Sequence, residues 1–356
     1  MSRLSCHIFL VHSSPMKSKI LLVGGGTGGH IFPLRNLIDE LKKRGAETEL
    51  VVAEAPLDRK IVKENFGDVK THFFRTDKIR RYFSMENLAA PIRILKSVRT
   101  AQKLLQKINP DAIFFKGGFV GFPFLIAAKL GKFRGKIFTH ESDISAGVMT
   151  KFARRVANET FESFGNPQTP LFFSNAEKPA PKKEKTTPPL FKILIFGGSQ
   201  GARNLNELFL KNAQSLLKNC HYIVVTGREK KLNFSHPNFE QFEMLPATEL
   251  SQKIAESDFV ISRAGANSLF EIVAAKKPSL IIPLPSAARD HQRKNAEFFA
   301  EKNLCHVYEQ DSKASFPAAV KSAITDEKMR TALSTSQIRN AAPEIAEKIL
   351  KFLEKN

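Results

Sequence analysis

Short apolar runs rich in Val, Ile, Leu and Phe recur along the chain, each followed by a stretch where apolar residues return every three or four positions. The runs near 20–23, 48–53, 70–74, 111–116, 136–140 and 158–163 predict strands in the first half. Those near 192–196, 222–226, 258–262, 279–283 and 305–308 predict strands in the second. Runs of this length without polar alternation suit strands buried on both faces. Their alternation with helical periodicity predicts an α/β fold with parallel sheets covered on both sides. Asn175 to Pro189 is rich in proline and lysine and lacks apolar periodicity, so it reads as linker. The expected organisation is an extension over 1–16, an N-terminal domain over 17–168, a linker over 169–190 and a C-terminal domain over 191–335. A terminal segment, 336–356, carries an amphipathic helix placed to pack back on the first domain.

The first strand runs into Gly24-Gly25-Gly26-Thr27-Gly28-Gly29-His30, with Pro33 and a helical pattern beyond. Glycines at a strand-to-helix turn let backbone approach a ligand closely, and the helix start directs unpaired N–H groups and a positive dipole end at it. That dipole disfavours an imidazolium at His30, and a neutral imidazole at a ligand-binding turn is a candidate general base. Gly24, Gly26 and Gly29 also fit the dinucleotide fingerprint G-x-G-x-x-G, with Glu49 and Glu54 at the distance of its ribose-binding acid. The second half repeats the device: Lys192 to Phe196 leads into Gly197-Gly198-Ser199-Gln200-Gly201-Ala202-Arg203 and another helical segment. Two such halves facing each other form a cleft with a helix N-terminus on each wall, suited to a nucleoside diphosphate and a second substrate.

Two further constellations lie in the second half. After the run ending at Ser262 comes Arg263-Ala264-Gly265-Ala266-Asn267-Ser268-Leu269-Phe270-Glu271, in which Gly265 releases the chain into a helix. Glu271, one turn inside, can face the crevice at the strand ends and accept hydrogen bonds from a ribose diol, although a dipole-stabilised surface glutamate has the same pattern. In Asp290-His291-Gln292-Arg293-Lys294-Asn295-Ala296, Gln292 and Asn295 share a helix face and suit sugar hydroxyls, since amides both donate and accept.

Composition adds a partner. The formal net charge of +20 over 356 residues implies an anionic surface or substrate. Residues 70–109 hold ten Lys and Arg against Asp77 and Glu86, interleaved with Ile79, Tyr82, Phe83, Met85 and Leu88. That mixture suits the boundary of an anionic membrane, and equally a helical hairpin with a solvated basic face. No RNA-binding motif accompanies it. Cys6, Cys220 and Cys305 have neither pairing nor metal spacing, which points to a reducing cytoplasm. No run reaches the ~18 apolar residues of a spanning helix. Met16 directly precedes Lys17-Ser18-Lys19, so residues 1–15 read as an extension or a misassigned start.

The five motifs GGGTGGH, His140 to Asp143, GGSQGA, SRAGANSLFE and DHQRKNA stand in an order and spacing that resemble the MurG family. These are the UDP-N-acetylglucosamine–undecaprenyl-pyrophosphoryl-MurNAc-pentapeptide N-acetylglucosaminyltransferases of peptidoglycan synthesis. The resemblance runs from about Lys17 to the C-terminus. It implies a GT-B fold, two Rossmann-like domains whose parallel sheets face each other across a cleft. The implied reaction is an inverting transfer of GlcNAc from UDP-GlcNAc to the 4-hydroxyl of lipid I, giving lipid II. UDP-GlcNAc is a substrate, and no metal or other cofactor is expected. By the same resemblance, Thr27, Gly28 and Gly29 lie against the donor and the acceptor pyrophosphate, and His30 lies near the attacking hydroxyl with Glu141 as the second candidate base. Ser199 and the amides of Gln200, Gly201 and Ala202 hold the UDP phosphates. Ala247 falls where backbone groups read uracil, and Ala266, Asn267, Ser268 and Glu271 line the nucleotide, Glu271 on the ribose. Gln292 and Asn295 bind GlcNAc. Lys78, Ile79, Arg80, Arg81, Tyr82 and Phe83 fall in the family's membrane-facing region, implying a peripheral protein on the cytoplasmic face of the plasma membrane, alongside other cell-wall synthesis proteins.

Three positions depart from the family pattern. His140-Glu141-Ser142-Asp143 stands where HEQN is usual, Thr169 where an arginine is usual, and Gly117-Gly118-Phe119-Val120-Gly121-Phe122-Pro123 where GGYxSGP is usual. Asp143 brings a negative charge into a phosphate-rich cleft, so either a nearby basic group offsets it or the acceptor sits differently. Alternative readings are a GT-B transferase with another acceptor, a dinucleotide-dependent oxidoreductase, and a non-catalytic basic scaffold binding anionic lipid or RNA.

Overall fold

The computed structural model describes residues 18–76, 90–131, 133–174, 190–198, 203–216, 220–228, 230–285 and 290–354. In the first half the elements run β1 (Lys19–Val23), α1 (Gly28–Lys43), β2 (Glu47–Ala53), α2 (Pro56–Asn65), β3 (Lys70–Phe74), α3 (Ala90–Ile108), β4 (Ala112–Phe115), α4 (Gly121–Leu130), β5 (Lys136–Glu141), α5 (Val148–Ala153) and β6 (Glu159–Glu162). The second half continues with β7 (Phe191–Phe196), α6 (Arg203–Leu216), β8 (Cys220–Val225), β9 (Phe239–Phe242), α7 (Ala247–Glu256), β10 (Phe259–Ser262), α8 (Ala266–Ala274), β11 (Ser279–Ile281), α9 (His291–Ala300), β12 (His306–Val307), α10 (Phe316–Ile324), α11 (Glu327–Thr335) and α12 (Ala342–Glu354).

Two six-stranded sheets result, ordered β3-β2-β1-β4-β5-β6 and β12-β11-β10-β7-β8-β9, and every pairing is parallel. Most of the parallel order follows from the sequence: runs of β-branched and aromatic residues precede helices, and strand–helix–strand crossovers return the chain in parallel, whereas β8 reaches β9 with no helix between them among the described residues. Each first strand sits centrally, so Ile20, Leu21, Leu22 and Val23 are fully buried, as are Ile193, Leu194 and Ile195. β9 was not among the expected strands. Its four residues, Phe-Glu-Gln-Phe, lie at a sheet edge and are only half-buried, so their apolar content falls below that of the interior runs.

The domains are joined twice. Phe164 packs edge-on against Phe270, Phe298 and Phe299, while Phe172 stacks on Phe270 at 6.3 Å. The segment just beyond is held to the first domain, because Asn36 and Ser174 exchange two hydrogen bonds. The chain then returns: Ala341 N donates to Pro170 O and Asn340 Nδ2 to Phe172 O, and α12 lays its apolar face on the first domain. Ala342, Ile345, Ala346 and Ile349 are buried in one cluster with Ile31, Leu34, Leu37 and Ile38 of α1. Replacing a buried isoleucine by alanine removes transfer free energy and leaves a cavity, at a cost of about 2–5 kcal/mol. Ile349→Ala is therefore expected to lower the midpoint of thermal unfolding followed by circular dichroism, whereas Lys351→Ala, on the exposed face of α12, leaves it within error.

Residues 78–83, the expected membrane-facing stretch, lie outside the described residues. Within the described part of α3, Val98, Ala101, Leu105 and Ile108 face the core. Lys96, Arg99, Lys103 and Lys107 are exposed, which is the solvated basic face allowed by the sequence. Among the described residues no helix is long and apolar enough to cross a membrane.

Candidate active site

Parallel strands deliver all their C-terminal ends to one edge, and the site is built there. β1 ends at Gly24, whose N–H continues the ladder to Val51 O at 3.1 Å. A Cβ on Gly24 would lie 2.3 Å from His30 O, so the strand and the helix start approach as only glycine permits. Gly26 takes φ 84°, the left-handed region. Its N–H donates to Asp58 Oδ2 at 2.9 Å, and Ala53 N–H donates to the same oxygen at 3.0 Å. Asp58, fully buried on α2, thus pins the glycine turn. Sequence reading had missed it. The available signal was a carboxylate in the first turn of a helix directly after a strand.

Thr27 is the N-cap of α1 and its side chain caps no backbone N–H, while His30 N–H donates to Thr27 O at 3.1 Å. His30 stands in that first turn with Nδ1 3.3 Å from Gly25 O and 3.1 Å from Thr27 Oγ1. A carbonyl can only accept, which assigns the hydrogen to Nδ1 and leaves the Nε2 lone pair free. The ring packs on Gly117 and Gly118, both at positive φ, where side chains would crowd it. Burial, then the charge of Lys116, push the His30 pKa down to about 4, against the Gly25 carbonyl and Asp143. The imidazole is neutral at physiological pH, as a base requires.

Lys116 follows β4 and is 2% exposed. Its ammonium donates to His140 Nδ1 at 3.0 Å and to Ser142 Oγ. His140 in turn donates from Nε2 to Thr169 O at 2.8 Å, and Thr169 Oγ1 closes a turn onto Glu162. Thr169 therefore has a structural task here. Glu141 accepts Asp143 N–H and Gly147 N–H with its two oxygens, fixing the loop between β5 and α5. Asp143, one turn of that loop further, reaches the other domain.

In the C-terminal domain β7 runs into Gly197-Gly198, with Gly198 at φ 80° and no described atom within 4 Å of where a Cβ would stand. Ser199, Gln200, Gly201 and Ala202 lie outside the described residues. Gly265 is the N-cap of α8, which places Ala266, Asn267 and Ser268 in its first turn. Asn267 crosses the cleft and donates from Nδ2 to Gly29 O at 2.8 Å, while its Oδ1 is buried with no partner. Glu271, one turn on, is half-buried, and desolvation pushes its carboxyl up to about 8 against a hydrogen bond from Ser251 of α7. Ala247 begins α7 and is buried.

On α9, Gln292 Oε1 accepts Leu284 N–H at 3.0 Å. Asn295 is fully buried and bridges the domains: Nδ2 donates to Asp143 Oδ1 at 2.9 Å and to Ala264 O at 3.2 Å, and Oδ1 accepts Ile144 N–H at 3.0 Å. The amide is saturated in this arrangement. Glu49, by contrast, is occupied away from the glycine turn by Lys70 and His72 of the neighbouring strand, and Glu54 by Arg59. Both carboxylates are thus engaged by side chains of their own domain. Because Asp58 holds Gly26 and Ala53 together, Asp58→Ala leaves two buried N–H groups unpaired at about 1–3 kcal/mol each. Faster hydrogen exchange at Gly26 than in wild type is expected, and unchanged exchange would show that the turn stands without Asp58.

The model of the glycosyltransferase family 28 N-terminal domain matches residues 20–162, and that of the family 28 C-terminal domain matches 192–349. A relative from Clostridium tetani, described as a UDP-N-acetylglucosamine–N-acetylmuramyl-(pentapeptide) pyrophosphoryl-undecaprenol N-acetylglucosamine transferase, is 35% identical over 319 residues, covering 83% of this chain and 86% of the relative. A relative of the same description from Lachnoclostridium phytofermentans is 34% identical over 314 residues, 82% of this chain and 86% of its own. The crystal structure of MurG from Acinetobacter baumannii superposes with a TM-score of 0.68 at 24% identity, covering 94% of this chain and 99% of that one. The calicheamicin glycosyltransferase CalG4 superposes at 0.66 and 16% identity, covering 96% and 97%. At these identities the two structures establish the fold, which is GT-B.

Proposed function

The chain belongs to glycosyltransferase family 28, within the N-acetylglucosaminyltransferases of peptidoglycan synthesis, and on that premise we propose how its cleft performs the transfer. It moves GlcNAc from UDP-GlcNAc to the 4-hydroxyl of lipid I, forming lipid II. The observation that carries the assignment of roles is His30: an imidazole in the first turn of α1 whose Nδ1 donates to Gly25 O, leaving the Nε2 lone pair to take a proton, next to Gly29, which Asn267 of the second domain reaches.

The nucleotide sits on the C-terminal domain. Backbone at Ala247 borders the base, Glu271 takes the ribose, and the first turn of α8 takes the diphosphate, with Ser199, Gln200, Gly201 and Ala202 expected from the sequence to share it. Asn267 Oδ1, buried and without a partner, is an acceptor available to a hydroxyl or amide of the donor. Gln292 and Asn295 serve the sugar once Asn295 exchanges its contacts with the Asp143 loop for the ligand. The acceptor pyrophosphate lies on the first-turn N–H groups of α1 at Thr27, Gly28 and Gly29. His30 Nε2 removes the proton from the acceptor hydroxyl as it attacks the anomeric carbon from the face opposite UDP, which inverts the centre. Helix N-termini stabilise the charge developing on the departing diphosphate. Both oxygens of Glu141 already accept backbone N–H groups, which favours His30 over Glu141 as base. The stretch 78–83 and the net charge of +20 support peripheral attachment to an anionic membrane on the cytoplasmic side, where the lipid-linked acceptor resides.

Transfer of labelled GlcNAc from UDP-GlcNAc to a water-soluble lipid I analogue tests the activity, and no transfer above background would end the proposal. His30→Ala should lower kcat by ~10²–10⁴-fold while UDP still binds by calorimetry. Since kcat/KM follows the free enzyme, its acid limb in Glu271→Gln, where that carboxyl no longer titrates, should fall near pH 4, well below the ordinary histidine range, because His30 takes up its proton only there. Glu271 should be read at the other end of the pH range. Its carboxyl ionises near pH 8 in the free protein, so UDP affinity should rise as pH increases through that value, and Glu271→Gln should flatten the rise. A pH-independent affinity in wild type would remove Glu271 from the ribose.

A further inference from the structure

A buried ammonium is costly unless a negative charge balances it. Lys116 is almost wholly buried, yet its two hydrogen-bond partners, His140 and Ser142, are neutral. Among the described residues no carboxylate comes within ion-pairing distance of it. The nearest balancing charges are Glu141 and Asp143, on the loop that Lys116 grips through Ser142. Glu141 spends both oxygens on that loop's backbone. Asp143 points away, to Asn295 across the cleft.

The same lysine is tied to the first glycine turn of its own domain. Its backbone N–H donates to Val23 O at 3.0 Å, which sets β4 against the end of β1, and the next two residues are the glycines on which the His30 ring rests. His30 thus stands between a positive charge at 116 and a negative one at 143. Asp58, the other carboxylate at this turn, is engaged by the N–H groups of Gly26 and Ala53.

We propose that Lys116 is a positioning residue for the transfer step and works as a unit with Asp143: its charge fastens the Ser142–Asp143 segment from beneath, and offsets the Asp143 carboxylate beside His30 and the incoming diphosphates. This rests on the transfer reaction above for its kinetic part alone. The two charges act on the His30 imidazole in opposite directions, Lys116 lowering its proton affinity and Asp143 raising it. Lys116 itself is brought down to about 7 by burial, so its charge fades as pH rises above neutrality. Acceptor binding should weaken over the same range.

The test compares Lys116→Met, Asp143→Asn and the double variant, with Lys116→Arg as the charge-conserving control. His30 titration by NMR in the full chain without substrate is read first. Lys116→Met should move the midpoint up by about one pH unit, Asp143→Asn should move it down, and the double variant should return near wild type. Lys116→Arg should titrate as wild type does. In the transfer assay Lys116→Met should raise KM for the lipid I analogue about tenfold with less change in KM for UDP-GlcNAc, and adding Asp143→Asn should recover most of that loss. Strict additivity, or a His30 midpoint indifferent to both substitutions, overturns the proposal. If Lys116→Met does not fold, the charge-balanced double variant must fold, and failure of both also overturns it. Absence of transfer in wild type would sink the functional reading while the NMR arm still decides the pairing.

Discussion

The parallel register between β1 and β4 is the constraint from which the site follows. Val23 pairs with Phe115, and the ladder continues one step further into Lys116 N–H and Val23 O. Because both strands run the same way, the glycine turn after β1 and the glycine turn after β4 emerge side by side. His30 rises from the first and lies on the second. Parallel strands buried on both faces have no freedom to slip, since a shift of one residue would turn Leu22 and Phe114 to the opposite side of the sheet.

The second domain repeats that geometry, and the two edges meet through a few polar contacts. Asn267 reaches Gly29, and Asn295 reaches Asp143 and Ile144. These bonds run from side chains of the C-terminal domain to backbone and loop of the N-terminal domain. Under the proposed roles, domain contact and ligand binding draw on the same amides. The aromatic packing of Phe164 and Phe172 and the return of α12 hold the hinge on the far side, where apolar contact tolerates small rotations better than directed hydrogen bonds do.

Charge at the centre of the site is arranged by burial. His30 is kept neutral, the Glu271 carboxyl is pushed up to about 8, and the Lys116 ammonium down to about 7. Each shift has desolvation as its largest cause. Diphosphate substrates bring further negative charge to this region, which couples binding to protonation at these groups.

Much was legible in the sequence, because periodicity and glycine placement are local. The strand runs, the two glycine turns, His30 at a helix start and Glu271 one turn into another helix follow from neighbouring residues alone. β9 escaped because four half-buried residues at a sheet edge carry too little apolar signal. Asp58, Lys116 and the bridging task of Asn295 could be seen only in the fold. Each depends on an atom supplied from far along the chain: Gly26 for Asp58, Ser142 for Lys116, Asp143 for Asn295. A sequence states which side chains can donate, accept or ionise. Which partner each one meets, and in how dry a place, is set when the strands align and the domains close.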